Sequence, residues 1–349
     1  MVVSDASFRE KLAPMSKVHL LTTADNSIVR QSGNDFKRLL SAVPHDKFRK
    51  HELVETPETA DIILFVGSKF EDHRDVRTHP YVRSFNKKCF LYHSNDFVIP
   101  FLPGVYVNIT KRWHSSHRTR SGFYMRVFDD KFIEYNPDLA KCDFLFCFIG
   151  SSQTHPVRPR IIELSHPRAY IEDTSAVVPK EEKKKLFFMV NYGDSDQTRY
   201  GSILSRSKFV LCPRGYACSS WRLFETMKAG RIPVIISDQW VPPDGPQWET
   251  FSIRVPEKHV SRIPEIVERQ ESRAEVMGKL ARTAWEEWFS RETSFHRIVE
   301  WCLELQRMGK PSRLDSLSPQ IQLLRPYFFR HVVLPQIKKK TLNRIPGMG

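Results

Sequence analysis

Residues 207–243 constrain this chain more than any other stretch. Phe209 to Cys212 is a short apolar run closed by Pro213, the pattern of a buried strand. Ser219 or Ser220 can N-cap the helix that follows, and Gly230 can stop it after about three turns. Ile232 to Ile236 is a second buried strand. Strand, helix and strand with short links make one βαβ unit, so the two strands are expected to be parallel and the class α/β.

Polar residues stand where this unit would bind an anion. Arg214 lies just past the carboxyl end of the first strand, the edge at which open α/β sheets take their ligands. The helix start at Ser219–Ser220 offers backbone N–H groups and the positive end of a dipole. Arg222 sits in the first turn and can clamp a diphosphate bidentately. Glu225, three residues on, shares its helix face and can accept from a ribose diol. The bland alternative is a surface ion pair between Arg222 and Glu225, which the ligand-edge placement disfavours.

The same residues resemble the exostosin glycosyltransferases, glycosyltransferase family 47. The shared pattern is S-K-F-x-L-x-P-R-G, then S-x-R-x-x-E, then G-x-I-P-V-I-x-S-D-x-W-x-x-P. It begins here at Ser207, passes through Pro213-Arg214-Gly215 and Ser220 to Glu225, and ends with Gly230 to Trp240. Trp248, Phe251, Ile253 and Ile263-Pro264-Glu265-Ile266 continue it. The resemblance implies two Rossmann-like domains facing a cleft, the GT-B type, with a nucleotide sugar in the C-terminal half. It implies a sugar-transferring enzyme of polysaccharide synthesis, inverting and independent of metal, with a glycan or lipid-linked sugar as acceptor. It also makes Gly150 and Arg158 donor contacts, because a strand ending at Gly150 with an Arg soon after resembles the family's first strand and loop of that domain. The family contains partner subunits too, so the alternative is a non-catalytic nucleotide-sugar or glycan-binding partner of another transferase.

The length of 349 residues suits two such domains. Apolar runs at Val18–Leu21, Asp61–Val66, Lys88–Tyr92 and Val105–Ile109, with a helix from Asp35 to Val43, make the first half α/β. Asn136-Pro137-Asp138 reads as a linker, and Asp143–Ile149 starts the second half as a strand. The expected division is therefore an acceptor-side domain over 1–138, a nucleotide-sugar domain over 141–316, and a helical tail over 317–349 that packs back on the first domain. Residues 261–310 read as helical, with Trp285, Trp288 and Trp301 as core anchors. There is no internal repeat in the sequence.

An inverting transfer needs a base from the N-terminal half. The candidates are Asp96 in His93-Ser94-Asn95-Asp96, then His93 itself. No metal is expected at the site. Asp194-Ser195-Asp196 has metal-binding spacing but reads as a turn, and the thirteen histidines are dispersed without a helix-spaced metal pair. Zincin, α/β-hydrolase and P-loop motifs are absent. The formal charge of +14 brings no zinc-finger or RNA-binding signature with it, so nucleic acid is not an expected partner. Lys338-Lys339-Lys340 would suit peripheral contact with an anionic membrane. Without a signal peptide or a run of ~18–20 apolar residues, and with six cysteines in apolar runs, the expectation is a cytoplasmic, microbial enzyme with buried free thiols.

Overall fold

The computed structural model describes residues 15–22, 35–67, 76–177, 194–309, 313–326, 329 and 334. Eleven strands lie in two sheets among these residues. The first sheet holds β1 (Ser16–Thr22), β2 (His51–Leu53), β3 (Ile62–Gly67), β4 (Cys89–His93), β5 (Gly104–Tyr106) and β6 (Thr119–Ser121), ordered β2-β1-β3-β4-β5-β6. The second holds β7 (Phe144–Gly150), β8 (Ala169–Asp173), β9 (Ser207–Pro213), β10 (Ile232–Ile236) and β11 (Ile253–Arg254), ordered β11-β10-β9-β7-β8. Every neighbouring pair is parallel.

Both sheets wind the same way. Each puts its second strand on one side of the first and the remaining strands on the other. The winding reverses between β1 and β3, and between β7 and β9. Ligands of open α/β sheets bind outside the carboxyl ends at such a reversal. The architecture is thus duplicated although the sequence is not, because a sheet needs only apolar character from its strands, not particular residues. Phe144–Gly150, Ser207–Pro213 and Ile232–Ile236 are buried nearly throughout, as strands covered on both faces must be.

The unit read from residues 207–243 forms as expected, with Trp221–Lys228 as its helix and Gly230 at φ +70° ending it. Phe209 pairs with Ile232, and Pro213 with Ile236. Asp194–Asp196 departs from the turn reading, since it forms the first turn of the helix Asp194–Ser205. Acidic residues suit a helix N-terminus, and here they meet Lys131 at 3.4 Å and Arg199 at 3.9 Å on the surface.

The chain returns to the first sheet earlier than the 317–349 tail. Helix Arg291–Met308 packs on the first domain, with Gln306 Nε2 donating to Asp61 O at 3.1 Å and Lys47 N to Glu292 O at 3.0 Å. Helix Arg313–Leu323 follows, and Leu323 packs against Ile99 of the first half. The Lys338–Lys340 run lies outside the described residues. All six cysteines are free, Cys142 half-buried and the rest buried. Among the described residues no helix is long and apolar enough to cross a membrane.

The carboxyl edges of the two sheets face each other across the cleft. Thr110, shortly after β5, bridges to Trp240 after β10, and Lys111 N donates to Gln239 O at 2.9 Å. Phe123 and Phe224 meet in a shared core at 6.2 Å between ring centres.

Candidate active site

The reversal between β7 and β9 gathers the arginines expected there. Arg222, in the first turn of its helix, reaches across to the end of β7 and donates through Nη2 to Ile149 O. Arg158 comes from the opposite side, on the short helix Val157–Ile162. It donates to Arg214 O at 2.8 Å, Ser151 O at 3.1 Å and Pro213 O at 3.3 Å, and so clips the ends of β7 and β9 together. Both guanidinium groups lie against the Phe148 ring, at 5.0 Å and 5.8 Å. Gly150 leaves room for them. A Cβ there would stand 2.9 Å from Arg222 Nη2 and 3.2 Å from the Phe148 ring, so no larger residue fits without moving the arginine.

Arg222 is 7% exposed and makes no ion pair with any described residue. Burying a guanidinium with no carboxylate in direct contact is costly, Glu225 nearby offsets only part of that cost, and an arriving anion would offset more. Three buried polar atoms of this region also lack partners among the described residues: Arg222 Nε, Thr154 Oγ1 and Ser219 Oγ. Folded proteins satisfy most such atoms, so their concentration at one sheet edge marks a place shaped for a ligand. Ser220 has extended dihedrals, and its side chain does not cap the helix. Arg214 stands at the rim, half-buried, 3.9 Å from Glu257.

Glu225 is also enclosed, at 4% exposure, and accepts from Tyr200 Oη at 2.7 Å. Burial pushes its carboxyl above the usual carboxylate range. The surface ion pair with Arg222 does not form. The two side chains are buried without direct contact, and Tyr200 lies against both.

The residues from the first half divide. His93 ends β4 with no exposed surface, beside Asp35, whose carboxyl burial pushes up. Asp96, three residues on, is exposed, yet the surrounding protein desolvates its carboxyl enough to raise its pKa. It lies near both Tyr124 and Cys218, which places it at the junction of the two domains.

Two positions missed in the sequence hold the loops around the site, the first of them at this junction. Asn108 donates to Asn95 O at 2.9 Å and Ser94 O at 3.3 Å, and its Oδ1 accepts from Tyr124 Oη at 3.0 Å and Ser219 N at 3.2 Å. One amide therefore ties the Asp96 loop to the start of the Arg222 helix. The signal was an Asn inside the Val105–Ile109 apolar run. Asp173, at the end of β8, holds the loop after Gly150 by accepting from Ser152 N at 3.0 Å and Ser152 Oγ at 2.7 Å. Although burial pushes the Asp173 carboxyl up, hydrogen bonds from Ser175 and Ser152 prevail and hold it at about 2.

The chain is similar to several known proteins. A family model, the Exostosin GT47 domain, matches residues 63–270, which include Arg158, Arg214, Arg222, Glu225 and Asp96. Exostosin-1 of Drosophila melanogaster is 31% identical over 142 residues, 38% of this chain and 18% of that protein. A probable glucuronosyltransferase of Oryza sativa subsp. japonica is 31% identical over 137 residues, 38% of this chain and 30% of that protein. The chain thus spans less than a third of the length of either relative. Among solved structures, a glycosyltransferase of Rickettsia africae aligns over 86% of this chain and 100% of its own at 11% identity and TM-score 0.40. Anabaena HepE in complex with UDP-glucose aligns over 82% of this chain and 98% of its own at 10% identity and TM-score 0.39.

Proposed function

This chain belongs to the exostosin GT47 family, and we propose that it transfers a sugar from a nucleotide-diphosphate donor to a glycan or lipid-linked acceptor, inverting the anomeric carbon without a catalytic metal. The observation that carries this reading is the buried Arg222 at the sheet reversal, its Nε without a hydrogen-bond partner among the described residues, with Arg158 beside it and further unmatched polar atoms around it. A diphosphate supplies the missing acceptors.

In this reading the donor diphosphate lies over Gly150 and the start of the Trp221–Lys228 helix. Arg222, Arg214 and the helix N–H groups offset the negative charge that grows on the leaving group. They are fixed before reaction, so the stabilisation requires no reorganisation when the bond breaks. Glu225, steadied by Tyr200, accepts from the ribose hydroxyls. Asp96 takes the proton from the acceptor hydroxyl as that oxygen attacks the anomeric carbon, on the face opposite the departing diphosphate. The partner-subunit alternative has no observation in its favour that catalysis lacks.

The test is thermal stabilisation of the purified chain by a panel of nucleotide sugars. At 100-fold above its dissociation constant, a true donor stabilises the fold by about 2.7 kcal/mol. The effect should be lost when Glu225 is replaced by Ala. No stabilisation by any nucleotide sugar or nucleoside diphosphate would count against the donor site.

A further inference from the structure

Away from the cleft, three side chains converge at the amino edge of the first sheet. His51 opens the edge strand β2 and pairs with Ser16, the first residue of β1. His296 and Glu300 lie one turn apart on the crossing helix Arg291–Met308. His51 Nε2 is 2.9 Å from His296 Nδ1 and 3.4 Å from Glu300 Oε1, and all three atoms fall within 4.8 Å of one another. Both rings are buried, while Glu300 is half-exposed. We propose that His51, His296 and Glu300 bind a divalent transition-metal ion, Zn2+ being the best match, which fastens the crossing helix to the edge of the N-terminal sheet.

Three points of geometry and chemistry support the site. Zn–N bonds of about 2.0–2.1 Å put the ligands of a tetrahedral ion about 3.3 Å apart, close to the spacings found. Two imidazoles and a carboxylate with one side open to water form a ligand set that suits this ion. The third is the hydrogen-bonding count. One N–H at the centre satisfies only one of the facing lone pairs, and two would point at each other; a cation satisfies all three atoms. The site also has a framework. Phe48 stacks on the His296 ring with centres 4.0 Å apart, which fixes its plane. Because 245 residues separate His51 from His296, a metal here closes a long stretch of chain.

The site is remote from the proposed transfer chemistry, so its readout is binding and stability. The chelator-treated protein is titrated with Zn2+ against a competing metallochromic dye, and its melting is followed in parallel. The expected result is one equivalent bound and a melting temperature raised by roughly 5 °C at 100-fold excess over the dissociation constant. Co2+ should give the visible absorption of a tetrahedral site. His296→Ala should abolish both signals, and Glu300→Gln should weaken the affinity at least about tenfold. If His296→Ala fails to fold, the half-exposed Glu300→Gln decides alone. No stoichiometric Zn2+ in the wild type, or unchanged affinity in Glu300→Gln, overturns the proposal.

Discussion

Replacing Arg222 with Ala is expected to slow nucleotide release from a nucleotide sugar roughly 100- to 1,000-fold at saturating donor, the usual loss for one preorganised electrostatic contact. The loss falls in kcat because charge on the diphosphate grows as the glycosidic bond breaks, so the guanidinium matters more to the transition state than to the bound donor. The substitution also removes a donor from Ile149 O and opens space beneath Phe148, so the melting temperature should fall as well. Arg222→Lys separates the two effects. It keeps a charge and most of the volume but gives up the planar fork, so it should fold well and still turn over slowly. Circular dichroism melts beside the rate measurements check this. An Arg222→Lys chain of normal stability and normal rate would remove Arg222 from the transition state.

Asp96→Asn should cost roughly 100- to 10,000-fold in transfer, the range for a lost general base. The amide is nearly isosteric, so the fold should be unaffected. The pH profile supplies a second readout. The base works only when ionised, so the rate rises with pH as Asp96 loses its proton. Its raised pKa places that limb above the range of an ordinary carboxylate, whose reference value is 3.8. In Asp96→Asn the limb should vanish along with most of the rate. A variant that keeps the acid limb and the wild-type rate would assign the base elsewhere.

Much of the fold was legible in the sequence because β3, β4, β7, β9 and β10 are buried on both faces and read as unbroken apolar runs. The short flanking strands were not. β8 is half-buried along its length, β2 is mostly exposed, and β6 carries Arg120, so none shows an apolar run. Arg222, Arg214 and Glu225 could be named as candidates because they stand at fixed offsets from a readable strand and helix. Asn108 and Asp173 were missed because their importance lies in contacts across the chain, as with Asn108 and Ser219, which are 111 residues apart. The His51, His296 and Glu300 cluster was invisible for the same reason. Only the packing of the crossing helix onto the sheet edge brings its members together. Asp96 was placed ahead of His93 from the sequence, but their difference in burial, a fully enclosed histidine against an exposed carboxylate, shows only in the structure.

The central claim is that fixed protein cations, not a bound metal, hold the departing diphosphate at the reversal between β7 and β9. The most direct measurement is the transfer rate of wild type, Arg222→Ala and Asp194→Ala, each with and without EDTA. It is run well below the melting temperature, so that loss of an ion from His51 and His296 does not unfold the chain. The wild type and Asp194→Ala should keep their rates in chelator, since among the described residues the Asp194 carboxylate pairs with Lys131 at the surface. Arg222→Ala should be slow in both conditions. Abolition by chelator, a dead Asp194→Ala and a healthy Arg222→Ala would contradict the account and move the chemistry to a metal held elsewhere.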